Sequence, residues 1–377
     1  MSNDIRGVLL HALPACAETS WEFINFCSEA VRGRFFSFPT NLRYHLDYEE
    51  QEGSDDRRLL PIVEKNLIEG YLSFKRPRLA FGCIFKPEQM SPVTLLHVLS
   101  AIGSKDDEGG TNDGVLNDYD VERAVRYLED SLNELTSSSD SDDKTAVRQL
   151  VNLEFGYIRI IDHLQRKTDR PLLIFRHLAT DPEFYLEVHS HLWARNDDKE
   201  ELPKLDNLSE EQREWLSSNA FDLLHHWTTP LPGQIDDRID YQRLNDWVTA
   251  VRDGASEQKL TRATDSYIGQ ILAHSPIGTN GLIPDEPVCR LLNEVNSQSM
   301  LNGFNIGRYN ARGVLTGFVD EFGRSTRNLS DLYLAASEQL RDRYPNLAKE
   351  FQKIAESYQD DADSERDWQD RTDLSDY

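Results

Sequence analysis

The chain has 377 residues, with 41 lysines and arginines against 66 aspartates and glutamates, which gives a formal net charge of −25. Hydrophobic residues make up 38% and aromatic residues 10%, enough to bury a core, so wholesale disorder is excluded. A surface this negative repels nucleic acid and anionic lipid, so we expect neither as a direct partner. The length exceeds one average domain and predicts two or three packed units.

The start of the chain and its cysteines both indicate a protein that is not secreted. The first residues, MSNDIRGVLLHALPA, lack the charged start and long apolar stretch of a signal peptide, and no apolar run approaches about 20 residues. The four cysteines (Cys16, Cys27, Cys83 and Cys289) are scattered and form no C-x-x-C pair. We therefore predict a cytoplasmic protein with reduced thiols and no membrane contact.

Apolar residues recur at three- and four-residue steps along the chain, which predicts helices and no convincing strand pair. The first helix is marked by a capping box, in which Thr19 and Glu22 satisfy each other's free backbone N–H groups. The helices predicted in this half of the chain cover residues 19–31, 59–72, 79–85, 91–102 and 121–135.

Two polar segments interrupt this pattern and set the predicted domain boundaries. Residues 103–118 hold four glycines and five acids, which predicts a solvated loop that cannot order itself. Residues 136–145, TSSSDSDDKT, predict a flexible linker and a hinge. The predicted units are an N-terminal helical subdomain at 1–135, a C-terminal helical domain at 146–360 and a fraying acidic tail at 361–377.

Helix start signals are clear in the second half of the chain. Asp181 is followed by Pro182, which pairs an N-cap with proline in the first turn, and Ser209 with Gln212 forms a capping box. Together with the other amphipathic stretches, these signals predict an all-α fold: an irregular helical array, or α-solenoid-like superhelix, of roughly a dozen or more short helices.

Common catalytic motifs are absent from the sequence. It has no G-x-x-x-x-G-K-[ST], no G-x-S-x-G and no H-E-x-x-H, so we predict no cofactor and assign no catalytic residue. Ten histidines leave one metal hypothesis open. His177, His191 and His225 with Asp236 or Asp237 would suit zinc or iron, although half-buried helix histidines without a metal are commoner.

The segment Gly303–Gly317, GFNIGRYNARGVLTG, is the strongest candidate for a binding site. Its four glycines and weak periodicity predict a structured loop between helices. Arg308 and Arg312 are four residues apart and would form a two-pronged donor for carboxylate or phosphate, unless they pair with nearby acids. The candidate ligand- or partner-binding residues are Asn305, Arg308, Asn310, Arg312 and Gly313, together with Trp247.

Several stretches resemble one family of proteins. PGQIDDRIDYQRLNDWVTAVRDGA, IGQILAHSPIGTNGLIPDEPVCRLLNEVNSQSMLNGFNIGRYNARGV and LRDRYPNLAKEFQKIAESYQDDADSERD resemble the C-terminal helical region of large multidomain bacterial proteins. LEFGYIRIIDHLQRKTDRPLLIFRHLATDPEFYLEVHSHLWAR and KRPRLAF extend the resemblance over most of the chain. Some of those proteins carry an NTPase or defence-type module ahead of the helical region, so the resemblance implies helical architecture and suggests a role in anti-phage defence.

The family pattern is matched at many positions and broken at three. The family often has an Asp-Gly step where this chain reads Asp237-Arg238, a tryptophan at Ile283 and a histidine at Asp285. The resemblance transfers no catalytic residue. The matched positions are Pro232, Gly233, Asp240, Trp247, Ile268, Gly269, Pro276, Gly281, Asn310, Arg312 and Gly313.

These observations favour a non-enzymatic helical scaffold, sensor or regulatory subunit that binds another protein in a helical groove. The alternative is an enzyme with a metal or anion site in the C-terminal domain, near His177, His191, Asp236, Arg308 and Arg312. A component of an anti-phage defence system is a third hypothesis. The sequence does not reveal the partner or the oligomeric state.

Overall fold

The computed structural model describes residues 48–50, 57–59, 61–84, 86–132, 143–161, 170–192, 208–276, 278, 284–311 and 324–373. These residues form 14 α-helices and two short hairpins, which confirms the predicted all-α helical array. The helix predicted at 19–31 lies outside the described residues. No described helix combines the length and apolarity that a membrane span requires.

The chain divides into two compact units, Met1–Leu164 and Gln165–Tyr377. The division follows the fifth helix because that helix packs in the first unit, where the Tyr157 hydroxyl donates to the Leu99 carbonyl at 2.9 Å. The predicted linker at 136–145 lies mostly outside the described residues, so its flexibility stays a prediction.

The first unit contains one hairpin and five helices within the described residues. Two 3₁₀ turns, Pro87–Gln89 and Gly110–Asp113, lie between them. The elements are β1 Tyr48–Glu50, β2 Arg57–Leu59, α1 Pro61–Ser73, α2 Pro77–Gly82, α3 Pro92–Ala101, α4 Asp118–Asp130 and α5 Asp143–Ile161.

The second unit contains the other hairpin and nine described helices. Its elements are α6 Leu173–Thr180, α7 Pro182–His191, α8 Glu210–His226, β3 Gln234–Ile235, β4 Arg238–Ile239, α9 Tyr241–Glu257, α10 Thr261–Leu272, α11 Glu286–Val295, α12 Gln298–Ala311, α13 Arg324–Leu340 and α14 Pro345–Asp373. The capping box of α8 is formed as predicted, with the Ser209 hydroxyl accepting from Gln212 N and the Gln212 side chain accepting from Ser209 N.

The expectation of no strand pair was wrong, because the described residues include two antiparallel hairpins. Tyr48 pairs with Leu59 in the first, and Gln234 pairs with Ile239 in the second. Each strand has only two or three residues, too few for the alternation of apolar and polar residues that marks a strand in sequence.

The predicted fraying tail is helical as far as Asp373, since α14 continues through most of 361–377. Phe351, Ile354, Tyr358 and Ala362 repeat at three- and four-residue steps and are all buried. Asp361 is exposed and Asp363 is half-buried beside this packed face, and the number of acids in the segment does not prevent helix formation.

Residues 103–118 were predicted to be a solvated loop that cannot order itself. Most of residues 103–117 are indeed exposed and non-helical, but the segment is ordered, and this part of the prediction was wrong. The Asp107 and Asp113 side chains are each only 2% exposed, and they pair with Arg78 and Arg76 of the segment around the start of α2. Ion pairing orders this loop in place of apolar burial, which the composition alone could not indicate.

Candidate functional site

The glycine-rich segment predicted to be a loop is a helix as far as Ala311. Its glycines lie where α12 crosses α10. A Cβ on Gly303 would lie 1.9 Å from the Ser266 carbonyl oxygen, and one on Gly269 of α10 would lie 2.0 Å from that of Met300. The loop prediction failed because glycines that permit a close helix crossing look the same in sequence as glycines that permit a turn.

The candidate residues of α12 divide into two groups. Arg308 joins elements of the unit, since its Nε donates to the Tyr333 hydroxyl at 3.0 Å and its Nη1 to the Ala273 carbonyl at 3.1 Å. The Asn305 side-chain amide donates to Glu350 Oε2 at 3.3 Å. Both residues therefore have structural partners, whereas Asn310 is exposed. Arg312 and Gly313 lie outside the described residues.

Asn310 lines a small pocket between α8, α10 and α12, which we call the aromatic pocket. Its volume is about 170 Å³. The Phe221 and His225 rings are stacked there with centroids 5.6 Å apart. Burial, with the charge of Arg308 and with His225 nearby, lowers the pKa of His274, so this histidine is neutral at pH 7. The pocket residues are Phe221, Leu224, His225, Trp227, Tyr267, Gln270, Ile271, His274, Gly307 and Asn310.

A much larger cleft, of about 1080 Å³, opens beside the β3–β4 hairpin, and we call it the hairpin cleft. Its lining includes both buried apolar residues and exposed charged residues. Trp247 and Asp236, two residues singled out from the sequence, both line it. The buried apolar lining includes Ala179, Leu231 and Trp247, and the exposed charges are Arg176, Asp236, Asp237, Arg243 and Asp246.

Trp247 joins the cleft to the core of the second unit. Its side chain is only 4% exposed, and its Nε1 donates to the Leu178 carbonyl at 3.1 Å. Its ring meets that of Tyr185 edge-on, with centroids 5.0 Å apart, and that of Trp227 at 6.2 Å. Packing and a hydrogen bond therefore hold the Trp247 side chain in position at the cleft without a bound partner.

The loop that leads into the hairpin is held by side chains of the same unit. It contains the cis peptide bond Thr229–Pro230, and Trp227 Nε1 donates to the Pro230 carbonyl at 2.8 Å. Leu231 N donates to Gln234 Oε1 at 2.8 Å. Both contacts fix the backbone that borders the cleft.

The hairpin turn is held in the same way. The Gln234 side chain donates to the Asp236 carbonyl at 3.0 Å, and Asp240 N donates to the Gly233 carbonyl at 2.9 Å. Asp236 has a φ of 49°, a left-handed conformation that aspartate tolerates in turns. Asp240 then caps α9 by accepting from Arg243 N at 2.8 Å.

Substitution of Gly233 by alanine should disturb the backbone that borders the hairpin cleft. Gly233 has a φ of +75°, and a Cβ there would lie 2.6 Å from Leu244 N and 2.8 Å from the Asp240 carbonyl oxygen. We expect a loss of about 2–3 kcal/mol in the free energy of unfolding, measured by urea denaturation. Gly82→Ala is the control, since no atom lies within 4 Å of its added Cβ. Equal stability of the two variants would contradict the role given to Gly233.

The four residues of the metal hypothesis do not come together. His177 Nε2 lies 3.5 Å from Asp181 Oδ2 at the end of its own helix, and His225 lines the aromatic pocket while Asp236 lines the hairpin cleft. Burial lowers the pKa of His191. Within the part of the chain that the structure describes, no group of three or more His, Cys, Asp or Glu residues could hold a metal ion.

Sequence reasoning missed the hairpin cleft and the two arginines that line it. The run Pro232–Asp240 contains the turn signals, and the family resemblance includes Pro232, Gly233 and Asp240. The contributions of Arg176 and Pro171 could not be found in this way, because they come from a segment about 60 residues earlier in the chain.

The fold and these two concave sites define an all-α protein with a preformed cleft in its second unit. Comparisons with protein-family models, with curated proteins and with solved structures find no match to this chain.

Proposed function

We propose that the chain is a non-enzymatic helical scaffold, sensor or regulatory subunit that binds another protein in the hairpin cleft. The observation that carries the proposal is the combination of a large cleft, buried apolar lining and exposed charges. Protein interfaces have this anatomy, with an apolar centre surrounded by polar and charged residues. The cleft volume is at the upper end of the range for small-molecule sites, which favours a segment of a larger partner.

The fixed backbone supports the same proposal. A binding surface that is ordered before contact avoids part of the conformational entropy lost on association. The hydrogen bonds of Trp227, Gln234 and Trp247 provide that order. The lining of the cleft contains Arg243 as well as Asp236 and Asp237, so a partner with charges of both signs would bind in one orientation.

A site-specific photo-crosslinking experiment tests the proposal. A benzophenone amino acid placed at Asp237 of the full chain, in its native cells, should give one crosslinked species of defined mass. The same amino acid at Glu338 of α13, an exposed position outside the lining of the cleft, is the matched control. Arg243→Glu should abolish the crosslink, because it reverses an exposed charge of the cleft.

Two results would contradict the proposal. A chain that gives the same crosslinks at Asp237 and at Glu338 would show that the cleft has no preference for a partner. Crosslinks that survive Arg243→Glu unchanged would show that the charged residues of the cleft take no part in binding.

The resemblance to the helical region of large multidomain bacterial proteins supports a binding role, because those regions are joined to other modules. A function in anti-phage defence rests on that resemblance alone. Unchanged phage resistance after deletion of the gene would remove this part of the proposal and leave binding in the hairpin cleft unaffected.

A further inference from the structure

The first unit contains a concentration of positive charge that is unusual in so acidic a chain. Lys75, Arg76 and Arg78 are three cations within four consecutive residues, at the junction between α1 and α2. We call these three residues the basic corner. Its side chains are partly accessible, with exposed fractions of 47% for Lys75, 26% for Arg76 and 18% for Arg78.

Residues 103–117, which we call the acidic strap, cover the basic corner with one acid for each cation. Lys75 Nζ lies 2.9 Å from Glu108 Oε1. Arg78 Nε lies 3.2 Å from Asp107 Oδ2. Arg76 pairs with Asp113, the third acid. The strap therefore places three carboxylates against the basic corner.

Charge and backbone hydrogen bonds, more than apolar burial, hold the strap in place. Its apolar side chains are Val115 and Leu116, and Val115 is 96% exposed. Glu108 N donates to the Lys75 carbonyl at 3.0 Å, and Asp107 accepts from Gly103 N and Gly110 N. An anion that competes for the three cations would remove most of what attaches the strap to α1 and α2.

We propose that the basic corner is a binding surface for an oligophosphate, a ligand with several phosphate groups in a row, and that the acidic strap occupies this surface as an internal competitor. Guanidinium groups bind phosphate oxygens in the same forked geometry with which they bind carboxylates. An oligophosphate presents linked negative charges that replace several carboxylates in one binding event, which gains the advantage of multivalency. A monovalent anion lacks that advantage.

Hydrogen–deuterium exchange of the full chain tests the proposal, with inorganic tripolyphosphate as the probe. Strap amides, including those of Glu108 and Gly110, should exchange about tenfold faster as tripolyphosphate saturates, while the amides of α4 stay protected. Sodium chloride at matched ionic strength should have little effect. The same exchange experiment with ATP in place of tripolyphosphate distinguishes a site for a nucleotide from a site for a simple chain of phosphate groups.

Three results would overturn the proposal. Equal acceleration by sodium chloride would mean ordinary charge screening, and no acceleration by either salt would mean that the strap is a permanent part of the fold. Arg76→Gln combined with Arg78→Gln should abolish the tripolyphosphate response, and a response that persists would place the anion elsewhere.

A milder variant keeps the proposal testable if the double substitution unfolds the first unit. Lys75→Gln removes the most exposed cation of the basic corner. We expect it to weaken tripolyphosphate binding at least threefold, measured by the concentration that half-saturates the exchange effect. Lys105→Gln in the strap is the matched control, since Lys105 has the same charge and is exposed. Equal effects of the two substitutions would contradict a specific role for the basic corner.

Discussion

Replacement of Gly303 by alanine is expected to lower the free energy of unfolding of the second unit by about 3 kcal/mol or more. The added Cβ would lie 1.9 Å from the Ser266 carbonyl oxygen, which belongs to the backbone of α10 and cannot turn away. The two helices would have to separate. In an isolated helix the same substitution stabilises by about 1 kcal/mol, so the sign of the change distinguishes a helix crossing from a helix surface.

Thermal and urea unfolding followed by helical circular dichroism would measure this effect. Gly269→Ala should behave like Gly303→Ala, because its Cβ would lie 2.0 Å from the Met300 carbonyl oxygen. Gly254→Ala in α9 is the matched control: its Cβ would meet the movable end of the Leu186 side chain. We expect its effect to stay within about 1 kcal/mol. A Gly303→Ala protein as stable as the original would contradict a close crossing of α10 and α12 at this residue.

The second large effect concerns pH. His189 is 1% exposed between the rings of Tyr185 and Tyr267, and burial lowers its pKa to about 4. In the unfolded chain a histidine has a pKa near 6.5, so between pH 6.5 and pH 4 the unfolded chain binds the additional proton. Stability is therefore fully present above about pH 6.5 and falls as the pH drops toward 4, by up to about 3 kcal/mol.

Unfolding free energies at pH 7.5 and pH 5 would test this dependence. His189→Phe keeps an aromatic ring in the site and removes the titrating group, so its stability should fall less between the two pH values. Burial also lowers the pKa of His191 and of His274, so part of the dependence should remain. His97→Gln, which removes a histidine at an exposed position of α3, is the control. A His189→Phe protein with the original slope would contradict the assignment.

Helix positions followed from the sequence where apolar periodicity and a start signal occurred together. Ser209 with Gln212 marked the start of α8, and Asp181 with Pro182 marked the start of α7. Composition misled where it was used alone. The apolar repeat Leu347, Phe351, Ile354 and Tyr358 did predict the first part of α14, but the acids that follow concealed its continuation to Asp373, where Ala362 is buried, and the glycines of α12 suggested a loop.

The candidate site was accessible to sequence reasoning only in part. Trp247 and Asp236 were singled out and both line the hairpin cleft, whereas Arg308 proved to join α12 to Ala273 and to Tyr333 of α13. Residue type indicated which side chains could bind a ligand. It did not indicate which of them would bond to other residues of the same chain. For Arg308 those partners are Tyr333 and Ala273, about 25 and 35 residues away in the chain.

By itself the sequence determined the all-α class and most helix starts, because helix periodicity and capping are local properties of neighbouring residues. The tertiary structure alone decided which groups meet across the chain. It brought Asp107 and Asp113 onto Arg78 and Arg76, and it placed Gly303 against α10. Such contacts depend on how separate helices pack in three dimensions, and the local pattern of residues does not specify that packing.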